Sequence, residues 1–475
     1  MGDGYGEGRV QLSYGVHRPA DHAPLTGLVV SGQQFTGLSV MTFASGDYDG
    51  GEMLVLTGTN AGGRYHIVSN TTTTITFEDD ISSGFAATDR VCFINNRKRP
   101  ASTALFFGVK DEFPYPDPEH EYEPHYLHGD GQFPTRHQLK KTSYGPVDIP
   151  ILLQTARILA LCLGKVTTVA SAFTGGSTTL SAAAKKGDVY LSVVSTAGFV
   201  ANDEIEAGGD DTNPQCRTIL SVGATIVLNR PLDHDVANGK TVKEVNTATN
   251  TYTHTLTESS DGRMPIFCLE GVYDESTDLV RHAIGCVVDK WTMQSSEDEI
   301  VVVTPSVAPL NVVKNATTKS SVTVVTTEPF HFRMTGAGTG ASLGLVMNGI
   351  SFLKVLEVSL SSSIAAARNW YHQNTSGQKP FEHTLWRQTP ALSVKIVPRA
   401  NDQLWDLLND RTSFTTTLNM ARTAATDEFT ITLLNCLIQK APHGFPAGDQ
   451  VAVDVEVVWD NISIAVKNSI ADMLA

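Results

Sequence analysis

ALSVKIVP, residues 391–398, opens the stretch that decides the fold, and VAVDVEVVW, residues 451–459, closes it. Leu392, Val394 and Ile396 alternate with Ser393 and Lys395, the period-2 pattern of a half-buried strand. Pro398 ends that strand. Asn401 suits the cap of a short helix whose apolar stripe is Leu404, Trp405, Leu407 and Leu408. Phe414, Leu418 and Met420 then alternate with Thr415, Thr417 and Asn419, and Phe429, Ile431 and Leu433 with Thr430 and Thr432. The last segment alternates most cleanly: Val451, Val453, Val455 and Val457 take one face, Ala452, Asp454 and Glu456 the other.

The same order of elements occurs earlier, interrupted. Val147 and Ile149 begin it. Thr155 suits the cap of a helix carrying Ile158, Leu159, Leu161 and Cys162, and Gly164 suits its C-terminal cap. After a long gap come strands over Pro265–Tyr273, His282–Met293 and Ile300–Thr304. The chain therefore reads as a tandem duplication of one strand–helix–three-strand unit with extra modules spliced in.

At 475 residues the length suggests about three domains. Hydrophobic residues make up 41%, a globular composition, and no apolar run reaches the roughly 20 residues of a membrane helix. Met1 to Arg9 is Gly-rich and acidic. It predicts no secretion signal, and Gly6 stands where a myristoylation signal needs Ser or Thr. Cys92, Cys162, Cys216, Cys268, Cys286 and Cys436 are scattered in or beside apolar runs without a CxxC pair. They read as buried free thiols in a reducing compartment. The net charge of −15 argues against a surface that grips nucleic acid.

Residues 1–24 read as an arm that needs a partner to be ordered, with a weak strand at Arg9–Leu12. Residues 25–97 carry short β-branched runs at Gly27–Ser31, Glu52–Thr57, Arg64–Val68, Thr74–Phe77 and Arg90–Ile94, a compact all-β module. Residues 168–246 form a second one. Ser171–Thr179 reads as a linker, followed by strands at Val189–Val194, Glu204–Ala207, Arg217–Val222, Thr225–Leu228 and Thr241–Val245. The two modules loosely resemble each other.

Glu112–Gly131 reads as an irregular binding or interface loop. Its His120, Glu121, Glu123, His125, His128 and Asp130 fit no zinc spacing, so no metal is expected. Glu204, Glu206, Asp210 and Asp211 read as an acidic turn rather than a calcium site. Thr317–Thr327 predicts a strand. TGAGTGASLG at Thr335–Gly344 lacks the Gly-Lys-Ser/Thr of a phosphate loop and reads as a linker. There is no G-x-S-x-G elbow, and acidic residues fall mostly in turns and on polar faces. Neither an enzyme nor a cofactor is expected.

Several stretches, in order, carry a resemblance. They are Phe107–Gly108–Val109 with Glu112 and the Pro-rich segment after it, and Gly145–Ile149 leading into Ile158–Gly164. Next come His254–Leu256 with the Met264–Val272 strand, Gly285–Thr292, and Pro329–Phe332. The chain here resembles the tail tube (major tail) proteins of long-tailed viruses of bacteria and archaea. The resemblance spans about 98–167 and 247–475, and the two modules depart from it.

It implies a mainly β fold, a duplicated tail-tube barrel or sandwich unit with short flanking helices, plus the two inserted all-β modules. The division is an arm (1–24), a module (25–97), a first unit (98–167 and 247–325), a second module (168–246) and a second unit (326–475). It further implies trimeric rings of pseudo-sixfold symmetry stacked into a tube in the virion tail, assembled in the host cytoplasm. Viral DNA passes through that tube, and tape-measure, terminator and baseplate proteins adjoin it. Asp454 and Glu456 are then candidates for the lumen, whose acidic lining would repel DNA. Glu112, Tyr115, His120, Tyr122, His125, Tyr126 and His128 are candidates for ring-to-ring contacts. The modules would point outward, toward a host surface. The alternatives are a single-ring baseplate hub or terminator, and a glycan-binding adhesin.

Overall fold

The structure is a computed structural model. It describes residues 8–9, 29–36, 45, 48, 51–55, 58–86, 89, 91–94, 103–106, 108–110, 114–116, 118–126, 135–209, 213–229, 232–248, 250–259, 264–274, 279–296, 300–315, 321–332, 344–352, 355–369, 382–387, 390–397, 407–409, 411–421, 428–441, 452–470 and 473. Among these residues the chain is mainly β, in antiparallel sheets with two short helices at Arg157–Leu163 and residues 407–409.

Two long strands organise the core, Leu279–Ser296 of 18 residues and Glu428–Lys440 of 13. Each serves two layers. The first half of Leu279–Ser296 pairs with Phe267–Asp274 and Asn311–Asn315, its second half with Val302–Ala308. The first half of Glu428–Lys440 pairs with Phe414–Ala421 and Asn461–Asn468, its second half with Val453–Val458.

The change of layer falls at a left-handed residue in both, Gly285 (φ 64) and Asn435 (φ 55). A buried cysteine follows each. Cys286 Sγ donates to Ala283 O at 3.2 Å and Cys436 Sγ to Leu433 O at 3.5 Å. Cys286 lies opposite Phe267, and Cys436 opposite Phe414. One apolar cluster fills the space between layers, with Trp291, Phe330, Phe429 and Trp459 within it.

The Arg157–Leu163 helix is too short to persist alone. It is held because residues 158–163 are all buried, each large aliphatic side chain contributing about 1.5–3 kcal/mol. Gly164 caps it at φ 86, as the sequence predicts. Thr155 stands one residue ahead of the cap position but still accepts from a first-turn amide. The cap position is Ala156, and Thr155 Oγ1 accepts only from Arg157 N at 3.4 Å. Asn401 lies outside the described residues.

Several elements differ from expectation. Glu112–Gly131 is not an irregular loop, since Pro118–Tyr126 pairs with Thr135–Tyr144 as a hairpin. Pro lacks an amide donor, and a two-stranded ribbon tolerates Pro118 and Pro124 because each strand keeps one unpaired edge. The expected linker at Ser171–Thr179 contains a strand, Phe173–Thr179, whose register shift absorbs Gly175 and Gly176. The N-terminal strand is Gly8–Arg9, paired with Gly271 and Glu270. Strands at Gln34–Thr36, Gly164–Ala170, Tyr252–Glu258, Val355–Asn369 and Asn461–Asn468 add to those read from sequence. The Thr317–Thr327 strand is Ser321–Val324, parallel to Thr103–Phe106. Most of the Gly-rich run lies outside the described residues. Cys162, Cys216, Cys268, Cys286 and Cys436 are buried thiols, none of them in a disulfide.

Residues 173–245 rest on the strand Gly164–Ala170. Gln215 orients the contact: its Nε2 donates to His234 O at 3.0 Å, and its Oε1 accepts from Asp233 N at 2.7 Å. His234 Nε2 then reaches Val166 O at 2.9 Å. Burial lowers the His234 pKa, opposed by the Val166 bond and Asp233 and aided by Lys165 and Arg217.

Two outcomes are expected. In the αL positions, Gly285→Ala costs about 1–2 kcal/mol, whereas Asn435→Gly stays within about 1 kcal/mol of the parent; denaturant titration followed by tryptophan fluorescence reads both. For His234, a lowered folded pKa means that its contribution is complete above the ordinary value near 6.5 and is lost as pH falls through the folded value. Melting temperature measured from pH 7 to pH 5 falls less steeply in His234→Asn than in the parent protein.

Candidate functional site

One antiparallel ladder runs through both halves of the chain. Val147–Asp148 and Ile151–Leu152 pair with Val302–Ala308, which pairs with the second half of Leu279–Ser296. That half pairs with Val355–Asn369, and Val355–Asn369 with Ala391–Ile396. Ala391–Ile396 pairs with Val453–Val458, which pairs with the end of Glu428–Lys440. Alternation gives this sheet one apolar and one polar face. Leu392, Val394, Ile396, Val453, Val455 and Val457 are buried in the core cluster. Ser393, Lys395, Asp454 and Glu456 are exposed on the opposite side. Asp454 and Glu456 therefore stand where the sequence places them, facing away from the valine stripe.

The polar face is Ser- and Thr-rich, and its charges alternate in sign. Glu357, Lys395 and Asp454 are consecutive cross-strand partners. Ser359, Ser393 and Glu456 form the next row, and Thr292 and Ser361 the one beyond. Lys440 Nζ lies 3.2 Å from Glu456 Oε1, and Lys290 Nζ lies 3.6 Å from Asp148 Oδ2. The face is thus not uniformly acidic, because Lys290, Lys395 and Lys440 sit among its carboxylates. Sequence reading passed over these lysines because it weighed Asp454 and Glu456 alone. The signal was present in the alternation of Ser393 and Lys395.

The ladder has two ends. At one, the strand Leu437–Lys440 pairs with Val453–Val458, and Leu434 and Leu437 are each 40% exposed. At the other, residues 108–110 lie against 150–152. Val109 bridges Ile151, Leu152 N donates to Gly108 O at 2.8 Å, and Lys110 N to Pro150 O at 2.9 Å. Gln154 fastens this edge, its Oε1 accepting from Gly108 N at 2.8 Å and its Nε2 donating to Val325 O at 2.9 Å.

Of the described ring-contact candidates, His120 and Tyr122 lie together, their ring centroids 6.1 Å apart, while Tyr115 packs elsewhere. Tyr115 packs on its own chain, its hydroxyl 3.5 Å from Leu269 O and its ring where a Cβ on Gly271 would fall. His120 and Tyr122 are exposed on the hairpin, Tyr122 at 54%, and His120 Nδ1 lies 3.0 Å from Thr142 Oγ1. His125 and Tyr126 belong to the same strand, opposite Arg136 and Thr135. Glu112 and His128 lie outside the described residues. Among the described residues no three His, Cys, Asp or Glu side chains gather as a metal site. No protein-family model and no curated protein matches the chain.

Cross-strand pairs of opposite charge contribute about 0.2–1 kcal/mol each, and like charges cost a similar amount. Lys395→Glu places three carboxylates in one row. It should lower the melting temperature at low salt, with the loss mostly restored at high salt by screening.

Proposed function

We propose that this chain is a tail tube subunit of a long-tailed virus, built as a tandem duplication whose two units share one sheet. The observation that carries the reading is the matched behaviour of the two long strands. Each crosses between layers at an αL residue followed by a buried cysteine that bonds back three residues. Each is followed by a strand and a tight return, where Leu310 N donates to Ile284 O and Asp460 N to Leu434 O, both at 3.1 Å. The equivalent strands of the two units are Val147–Leu152 and Ala391–Ile396, Val302–Ala308 and Val453–Val458, Asn311–Asn315 and Asn461–Asn468.

The junction between the units supplies a template for the junction between chains. Val355–Asn369 bridges the first long strand and Ala391–Ile396. Residues 108–110 hold the matching place beside Ile151–Leu152. Set against Leu437–Lys440 of a neighbouring copy, they repeat the internal junction. Three chains then close a barrel of six units without an open edge. The polar face lines the channel, where Lys290 and Lys440 are each engaged by a carboxylate and Lys395 stands between Glu357 and Asp454 in the ladder. DNA passes without adhering. Rings stacked head-to-tail make a filament.

Negative-stain electron microscopy across concentration tests this. Hollow striated filaments with threefold or sixfold end views are expected. Discrete rings would replace the reading with a terminator or hub, and persistent monomers at every concentration would remove it. Gln439 is the extra residue of a bulge at the ladder's end, between Ile438 and Lys440. Gln439→Pro should therefore prevent ring closure, read by sedimentation, while the monomer melts as the parent does.

A further inference from the structure

Asparagine followed by glycine is the pair in which a backbone nitrogen most easily reaches a side-chain amide, because glycine puts no Cβ in the way. The chain has two such pairs, Asn238–Gly239 and Asn348–Gly349. Both form exposed turns, and a Cβ built on either glycine would meet nothing within 4 Å. Crowding therefore does not separate them. Their hydrogen bonding does.

Gly239 is fastened. Its N donates to Leu180 O at 2.9 Å, and Lys240 N donates to Ala237 O at 3.3 Å across the turn. Leu180 N in turn donates to Lys240 O at 2.9 Å. Gly239 lies at φ 81 and Asn238 outside the left-handed region, the pattern of a type II turn. The central peptide of such a turn carries the glycine nitrogen away from the side chain that precedes it.

Asn348 and Gly349 join Leu345–Met347 to Ile350–Phe352, with Met347 opposite Ile350. Asn348 (φ 48) and Gly349 (φ 74) are both left-handed, the type I′ loop of a tight hairpin. Asn348 N donates to Thr415 O at 3.0 Å, which anchors the start of the loop. Among the described residues Gly349 N has no acceptor and the Asn348 side chain no partner.

Nothing therefore holds the peptide between them. Rotating it converts a type I′ loop into type II′, the other common two-residue hairpin loop, and leaves the Met347–Ile350 pairing in place. Type II′ brings ψ of its first central residue to about −120°. At that angle the Gly349 nitrogen eclipses the Asn348 Cβ, the arrangement that a five-membered ring through Cγ requires. The conformation is strained for a residue with a side chain, so it is visited rather than held.

We propose that Asn348 is a site of self-modification, converted through a cyclic imide to aspartate and isoaspartate. Gly349 N gives its proton to solvent base and attacks Asn348 Cγ. The N–Cγ bond forms, the Cγ–Nδ2 bond breaks, and the side-chain nitrogen leaves as ammonia. Water then opens the ring. Attack at Cγ breaks its bond to nitrogen and gives aspartate. Attack at the main-chain carbonyl breaks that carbon's bond to nitrogen and gives isoaspartate.

The two products differ in effect. Aspartate tolerates the left-handed region as asparagine does, so the loop keeps its form. Isoaspartate routes the main chain through Cβ and Cγ. That adds one atom to a loop whose two residues set the register of the hairpin. Leu345, Met347 and Phe352 of this hairpin are buried in the main apolar cluster. A chemical event at the surface thereby loosens the cover over the core. The inference stands whether or not the chain forms a tube.

The full-length protein is aged at mildly alkaline pH, and the two Asn–Gly peptides are followed by mass spectrometry. Isoaspartate is read by an isoaspartate-specific methyltransferase. Freeing Gly239 N costs a hydrogen bond before attack, so the Asn348 peptide should gain its one mass unit about tenfold faster than the Asn238 peptide. The rate should rise with pH, because the deprotonated amide is the nucleophile, and in urea the two peptides should react alike. Equal rates in the folded protein, Asn238 ahead, or a contrast that persists in urea overturns the proposal. Ageing should lower the melting temperature of the parent more than that of Asn348→Gly, which suits the loop and has no amide to lose. An equal loss in both overturns the effect on the core.

Discussion

The outermost strand of a sheet carries a row of backbone N–H and C=O groups with no ladder partner, and burying or pairing them is obligatory. This constraint recurs throughout the chain. At Gly164–Ala170 the row is met by a glutamate, a histidine, a thiol and one carbonyl from the second module. Glu206 is desolvated in that role. Burial raises its pKa, and only the Ala170 amide and Lys243 oppose the shift. Gly209 makes room for the carboxylate, since a Cβ there would fall on Glu206 Oε1. A buried acid is an expensive substitute for a strand, which indicates that the edge has to be closed.

The layer crossings explain how one cluster serves two layers. A strand that stays in one sheet presents each side chain to one face throughout. Gly285 and Asn435 break that parity with a single αL residue, so Val288 and Ile438 after the turn face the same cluster as Ala283 and Leu433 before it. The thiol that follows is placed by this turn rather than by reactivity. Cys286 is fully desolvated, which pushes its pKa far up and leaves it an inert donor to the carbonyl of Ala283.

Much of this was legible in the sequence, and what was not has a physical reason. Val453, Val455 and Val457 announced a one-sided strand because one face is wet. The helix at Arg157–Leu163 was readable from its apolar run and Gly164. The hairpin Pro118–Tyr126 was not, because two prolines and two histidines within its nine residues mask its pairing with Thr135–Tyr144. Leu279–Ser296 read as a shorter strand, His282–Met293, because Arg281 and the polar residues 294–296 flank its apolar run. Val355–Asn369 went unread: Ser359, Ser361, Ser362 and Ser363 have low strand propensity, and their place is set by neighbours on both sides rather than by themselves. Of the candidate site, the acids at 454 and 456 were legible. Lys395 was legible as a polar-face residue beside Ser393, but its place between Glu357 and Asp454 was not, because cross-strand adjacency is not written in sequence order.

Those lysines change the electrostatic argument. A channel lined only by carboxylates would keep a polyanion off by repulsion, at the cost of carboxylates repelling one another across strands. Alternation along Glu357, Lys395 and Asp454 removes that cost. It also weakens the field beyond a Debye length, roughly 8 Å in physiological salt. The net charge of −15 then has to lie largely on other surfaces of the chain. Adhesion of a phosphate backbone requires cations that gain by exchanging their partners. A lysine already held by a carboxylate, as Lys290 is by Asp148 and Lys440 by Glu456, gains less from that exchange than a lone one.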